Sequence, residues 1–153
     1  MFNAICMGSL LVMGAARADV GREEKLDDAV RQFAAKVEAV WQECLRRPDV
    51  HTTNESDMCL FTMVSASNDA VEKKYQAKLV KARDMAEHPN GIATFETVPG
   101  LLEESQAQWK KYVKTDCDGI GAESADGTAR GTVALLCEYS HALQRLRALD
   151  KWY

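Results

Sequence analysis

The stretch that decides the fold is Gln106-x-x-Trp109-x-x-Tyr112-x4-Cys117, followed by Cys137-x7-Arg145-x3-Leu149. Polar and aromatic residues recur there at steps of three and four, which is the spacing of one helix face. Each of the two segments carries a cysteine, so the pattern predicts two helices joined by a disulfide bond. It contains no obvious nucleophile, general base or complete metal site. We therefore expect a binding protein without a cofactor, and not an enzyme.

Four segments of the chain have the apolar period of a helix. They cover approximately residues 22–46, 56–87, 99–117 and 128–150. A proline at position 48, a turn sequence at 88–91 and a glycine-rich loop over 118–127 separate them. We predict an all-α fold, a small disulfide-stapled bundle of about four helices with short antiparallel connections. The polar centre of the second helix, 68–74, is expected to be partly solvated or slightly broken.

The first 18 residues have several features of a signal peptide. An apolar stretch over 5–14 precedes Ala16-Arg17-Ala18, whose small residues suit signal peptidase. The stretch is too short to anchor the chain in a bilayer. Residues 1–3 lack the usual basic residue, so a plain apolar N-terminus is the alternative. We expect cleavage before Asp19, a single domain over 19–153, and a periplasmic or secreted location.

Export would change the meaning of the cysteines. Cys6 would leave with the signal peptide, and four cysteines in an oxidising compartment predict two disulfides. Three connectivities are possible, and the helix order favours Cys44–Cys59 and Cys117–Cys137. Each bond would close a loop of about 15 to 20 residues and contribute roughly 3 kcal/mol in the chain-entropy model. A zinc site is disfavoured, because it usually needs two cysteines only two to four residues apart.

The charge balance restricts the partners. The chain has 19 basic and 23 acidic residues, a formal net charge of −4, and removal of Arg17 would make it more acidic. An acidic surface disfavours nucleic acid and anionic lipid, and it favours a cationic partner. No basic cluster with interleaved aromatic residues is visible. We therefore predict a protein partner, with no nucleic acid and no membrane contact after signal cleavage.

The spacing of the last two helices resembles the LprI-like N-terminal domain family of lysozyme inhibitors, which are small exported bacterial helical domains. The matching residues between positions 59 and 149 are Cys59, Tyr75, Leu79, Leu102, Gln106, Trp109, Tyr112, Cys117, Cys137, Arg145 and Leu149. The chain departs from the family at four positions, where an Asp, a Leu-Asn pair and a basic residue are replaced by Asn68, Val71, Glu72 and Ala107.

The resemblance implies a protein that binds lysozyme, or a related cell-wall hydrolase, and inhibits it by occlusion. One alternative is an immunity or accessory protein for a different envelope enzyme or toxin. A structural envelope protein without an inhibitory role is a second, and a carrier of a small molecule in the bundle core is a third.

Several residues have both a structural and a functional interpretation. Gln106, Trp109 and Tyr112 would form a binding platform if they were exposed, but they share a predicted face with core residues, which favours a role as core anchors. Arg145 is expected to pair with a buried carboxylate or a helix end, or to contact the partner. Glu138-x-x-His141 is half of a di-iron motif, but the second copy is missing, so we expect no metal.

The loop over 118–127 is the best candidate for a contact surface. Its carboxylates are Asp118, Glu123 and Asp126, and a disulfide tether would limit the entropy lost on binding. The cleft of a lysozyme bears carboxylates inside a strongly basic protein, so an acidic, rigid surface would be steered towards it. An ordinary glycine-rich connection is the structural alternative.

Overall fold

A computed structural model describes residues 10–88, 95–124, 127 and 129–152, with side chains described from Asp27 onward. It contains four helices, α1 (Leu10–Leu45), α2 (Thr53–Glu87), α3 (Val98–Glu123) and α4 (Arg130–Asp150), and the described ranges include no strand. The prediction of an all-α bundle of about four helices is confirmed. The predicted cleavage point before Asp19 falls within α1, in front of the described side chains, and stays a prediction.

A capping box starts α2 earlier than the apolar pattern indicated. The Thr52 hydroxyl accepts a hydrogen bond from the Glu55 amide at 3.3 Å, and the Glu55 carboxylate accepts one from the Thr52 amide at 2.8 Å. These bonds satisfy donors that a helix N-terminus leaves unpaired. The helix then continues unbroken through its polar centre over 68–74, which is partly solvated, so the first of the two predicted alternatives is found and the break is absent.

The third helix ends later than predicted. It continues past Cys117 to Glu123, so most of the predicted glycine-rich loop is helical. Gly121 is buried, and a Cβ atom there would lie 3.4 Å from both the Ala134 Cβ and the Arg130 carbonyl oxygen. The missing side chain lets α3 and α4 approach closely. We infer that this packing offsets the low helix propensity of glycine, about 1 kcal/mol relative to alanine.

The core lies mainly between α2, α3 and α4, with α1 packed against α2 and α4. One buried cluster draws on all four helices and contains Val30, Val71, Tyr75, Leu79, Ala82, Leu102, Ala142, Leu146 and Leu149. A second cluster contains Leu60, Met63, Val64 and Tyr139. The Tyr139 hydroxyl also donates to Glu38 at 2.8 Å, which ties α4 to α1.

Two disulfides join neighbouring helices. Cys44–Cys59 links the end of α1 to the start of α2, and Cys117–Cys137 links α3 to α4. The favoured connectivity is therefore confirmed. No helix within the described residues is both long and apolar enough to cross a membrane.

Candidate functional site

A groove with a volume of about 560 Å³ lies between α2 and α3. This volume lies within the usual range of ligand sites, about 300 to 1,000 Å³. The α2 wall consists of Asn68, Asp69, Val71 and Glu72. The α3 wall consists of Gln106, Trp109, Lys110, Val113, Lys114 and Asp118, and α4 adds Glu138. The polar centre of α2 is thus one side of a site.

Arg145 supports the inner wall of the groove from α4. Only 7% of the residue is exposed, and its Nε donates to the Gln106 side-chain oxygen at 2.9 Å. Both terminal nitrogens donate to the Ser105 hydroxyl at 3.2 Å, and the guanidinium carbon lies 5.7 Å from the centre of the Trp109 ring. Burial lowers the pKa of Arg145, but a guanidinium stays protonated in proteins.

The buried carboxylate expected beside Arg145 is not found within the part of the chain that the structure describes. An amide oxygen, a hydroxyl and an aromatic ring replace it. This arrangement orients Gln106, which is 3% exposed, and leaves its amide nitrogen without a hydrogen-bond partner among the described residues. An unpaired buried donor costs about 1 to 3 kcal/mol, so the Gln106 nitrogen lowers stability locally at the base of the groove.

The groove carries an excess of carboxylates over amines. Lys110 pairs with Glu72 at 3.0 Å, and Lys114 pairs with Asp118 at 2.6 Å. A hydrogen bond from Gln76, helped by Lys110, holds the pKa of Glu72 below its ordinary value. Asp69 and Glu138 have no ion-pair partner within the described ranges. The lining therefore has a net negative charge.

The family model of lysozyme inhibitor LprI matches residues 44–149. The chain belongs to the lysozyme inhibitor LprI family. No curated protein and no solved structure is similar enough to this chain to count as a match. The range matched to the LprI family begins at Cys44 and ends at Leu149, so it includes both disulfides and the whole groove.

Residues that carry the LprI resemblance meet at the groove. Gln106 and Trp109 line it from α3, and the departing positions Asn68, Val71 and Glu72 line it from α2. The sequence pattern showed the period of each helix, but it did not show how α2 and α3 are rotated towards each other. The matches at Gln106 and Trp109 were the available signal for this site, since the α2 positions that line it depart from the family pattern.

Gln106 is a core anchor, as predicted, but Tyr112 is not. Tyr112 is 57% exposed and packs edge-on against His141, with 5.2 Å between ring centres. Two steps of three residues turn an α-helix by about 600°, which is about 120° short of two full turns. Tyr112 is therefore rotated away from Gln106, and Trp109 lies between them and is half-buried. Tyr75 belongs to the core, and burial raises the pKa of its phenol.

Two of the predicted contact carboxylates, Asp118 and Glu123, line different surfaces. Asp118 is on α3 and lines the groove. Glu123 lies at the end of the same helix, beside a separate shallow depression that includes Tyr112. Asp126 lies outside the described residues. The geometry therefore associates only Asp118 with the groove.

His141 belongs to a second polar cluster, on the other side of α3. Its Nε2 lies 2.7 Å from an Asp116 carboxylate oxygen. The ring nitrogen and the sulfur atoms of Cys117 and Cys137 lie within 4.8 Å of one another, but the two sulfurs are bonded to each other. The cluster thus offers a metal only the histidine and the carboxylate, while Glu138 faces the groove.

Proposed function

We propose that this LprI-family protein is exported and inhibits lysozyme, or a related cell-wall hydrolase, by covering its active-site cleft. Inhibition by occlusion requires a rigid binding surface and no chemistry. The family match over residues 44–149 is the observation that carries the proposal. The predicted signal peptide and the two disulfides are consistent with an oxidising location outside the cytosol.

The charge of the protein supports a basic partner. Its formal net charge is −4, and the groove has more carboxylates than amines. Opposite charges raise the association rate of two proteins and make it sensitive to salt. A lysozyme of high positive charge should therefore be bound faster at low ionic strength than at high ionic strength.

Hydrolysis of a soluble oligosaccharide by a panel of lysozymes tests the proposal. The exported protein should abolish the activity of at least one lysozyme at about one equivalent, and the same protein after reduction and alkylation should inhibit less. Unchanged hydrolysis by every member of the panel, at a large excess of the native protein, would show that the proposed function is wrong.

A further inference from the structure

We propose that the groove between α2 and α3 receives a lysine or arginine side chain of the inhibited enzyme, which rests on the proposed function. Asp69 and Glu138 would pair with its charge, and the apolar wall formed by Val71, Trp109 and Val113 would pack against its stem. This assignment moves the contact surface from the predicted loop over 118–127 to the middle of the bundle.

The charges of the groove select a cation. Lys110 and Lys114 are already paired with Glu72 and Asp118. The remaining carboxylates, Asp69 on α2 and Glu138 on α4, form no salt bridge among the residues described, although Glu138 also attracts Lys114 at longer range, and they lie on different walls of the same groove. A positive side chain that enters between them gains two opposite charges.

The shape of the groove suits a long side chain with a charged end. Val71, Trp109 and Val113 supply apolar wall between the polar groups. The stems of lysine and arginine pack against such surface while their charged ends stay in polar surroundings. The aromatic ring of Trp109 adds attraction for a cation that lies within about 6 Å of it, although Arg145 already occupies one such position.

Gln106 closes the base of the groove. Its oxygen is held by Arg145 at 2.9 Å, so the orientation of the amide is fixed. Its nitrogen is buried and has no partner among the described residues. The inserted side chain is therefore bound by the walls of the groove and not by Gln106.

The walls are held in place before binding. Cys117–Cys137 joins α3 to α4, and the pair Lys110–Glu72 joins α3 to α2 at 3.0 Å. A site that needs little rearrangement loses less entropy when the partner binds.

The first test removes the two unpaired carboxylates. The binding partner is a lysozyme that the wild type inhibits. Asp69→Asn with Glu138→Gln should raise the Kd for this lysozyme at least tenfold, as measured by titration calorimetry. The matched control is Glu87→Gln with Glu104→Gln, which makes the same change in net charge at two exposed positions outside the groove. The control should change the Kd less than threefold. Equal Kd values for the groove variant and the wild type would overturn the assignment.

The second test blocks the groove without altering the core. Asn68→Arg places a cation at the exposed rim, and it should abolish inhibition while Asn68→Gln retains it, both with the wild-type Tm. Inhibition by the wild type and by Asn68→Arg alike would overturn the groove assignment and leave the proposed function standing. Absence of inhibition by the wild type would overturn both. If the variants still bind lysozyme and lose only the binding of a free cell-wall oligosaccharide, the groove is a sugar site and the assignment is wrong.

Discussion

Arg145 shows how one residue can define a site without touching its opening. It is buried among Gln106, Ser105 and Trp109 and has no carboxylate partner within the described ranges. The sequence predicted that Arg145 mattered, because it lies at a family position on the inner face of the last helix. It could not show the partners, since these depend on the rotation of α3 against α4.

Arg145→Met should lower the free energy of unfolding by about 3 kcal/mol, because the Gln106 oxygen and the Ser105 hydroxyl would lose a charged donor in a buried place. Arg145→Lys should not restore the loss, since an ammonium cannot reproduce the planar fork of donors. Urea unfolding gives the free energy of unfolding of both variants. Arg147→Met is the control, because Arg147 forms an exposed pair with Asp27, and its replacement should cost less than about 1 kcal/mol. Equal losses at 145 and 147 would contradict the role given to Arg145.

At the scale of the helices, the apolar period predicted where each helix lies but not where α3 ends. The apolar pattern located all four helices, and their order favoured the correct disulfides. It ended α3 at Cys117, because the glycines at 119 and 121 are normally helix breakers. Their actual role depends on α4, which passes close to Gly121, and this proximity has no counterpart in the local sequence.

The two glycines should respond differently to alanine. Gly119 is exposed on the helix, and a Cβ atom there meets nothing within 4 Å, so Gly119→Ala should stabilise the protein by about 0.5 to 1 kcal/mol. Gly121→Ala gains the same propensity, but its Cβ meets α4 at 3.4 Å, so its net gain should be smaller. Thermal unfolding of both variants makes the comparison. If Gly119→Ala does not stabilise, the helix does not continue through position 119.

The capping box of α2 makes stability depend on pH. Hydrogen bonds from the His51 and Thr52 amides hold the pKa of Glu55 below its ordinary value of 4.5. The stabilisation is therefore complete above that value and is lost as the pH falls through the lower, folded-state pKa. Glu55→Gln should be less stable than the wild type at neutral pH, and the difference should shrink in acid. The urea midpoints of the wild type and the variant, measured from neutral to acid pH, test this prediction, with Glu104→Gln as the control. A stability difference that does not vary with pH would contradict it.

For the whole molecule, the two disulfides should contribute similarly to stability but differently to binding. They close loops of similar length, with sequence separations of 15 and 20 residues, and each should contribute about 3 kcal/mol. Cys117–Cys137 joins two helices that both line the groove, α3 and α4, whereas Cys44–Cys59 joins α2 to α1, which contributes no residue to the lining. The sequence predicted both bonds, but the groove depends on the packing of three helices and could not be predicted.

Replacing each disulfide with a pair of alanines should therefore lower stability by similar amounts and affect binding unequally. Cys117→Ala with Cys137→Ala should weaken binding to an inhibited lysozyme more than Cys44→Ala with Cys59→Ala. Calorimetric titration well below both melting temperatures gives the two Kd values. A larger loss of binding in the variant at 44 and 59 would place the contact surface near the junction of α1 and α2.

Competition for the cleft of the target enzyme tests the central claim most directly. A lysozyme that the protein inhibits is titrated with it, first alone and then with its cleft saturated by an oligosaccharide that is not hydrolysed. If inhibition is occlusion, the apparent Kd should rise in proportion to the oligosaccharide concentration, because the two ligands exclude each other. An unchanged Kd, with enzyme, oligosaccharide and inhibitor in one ternary complex, would contradict the account.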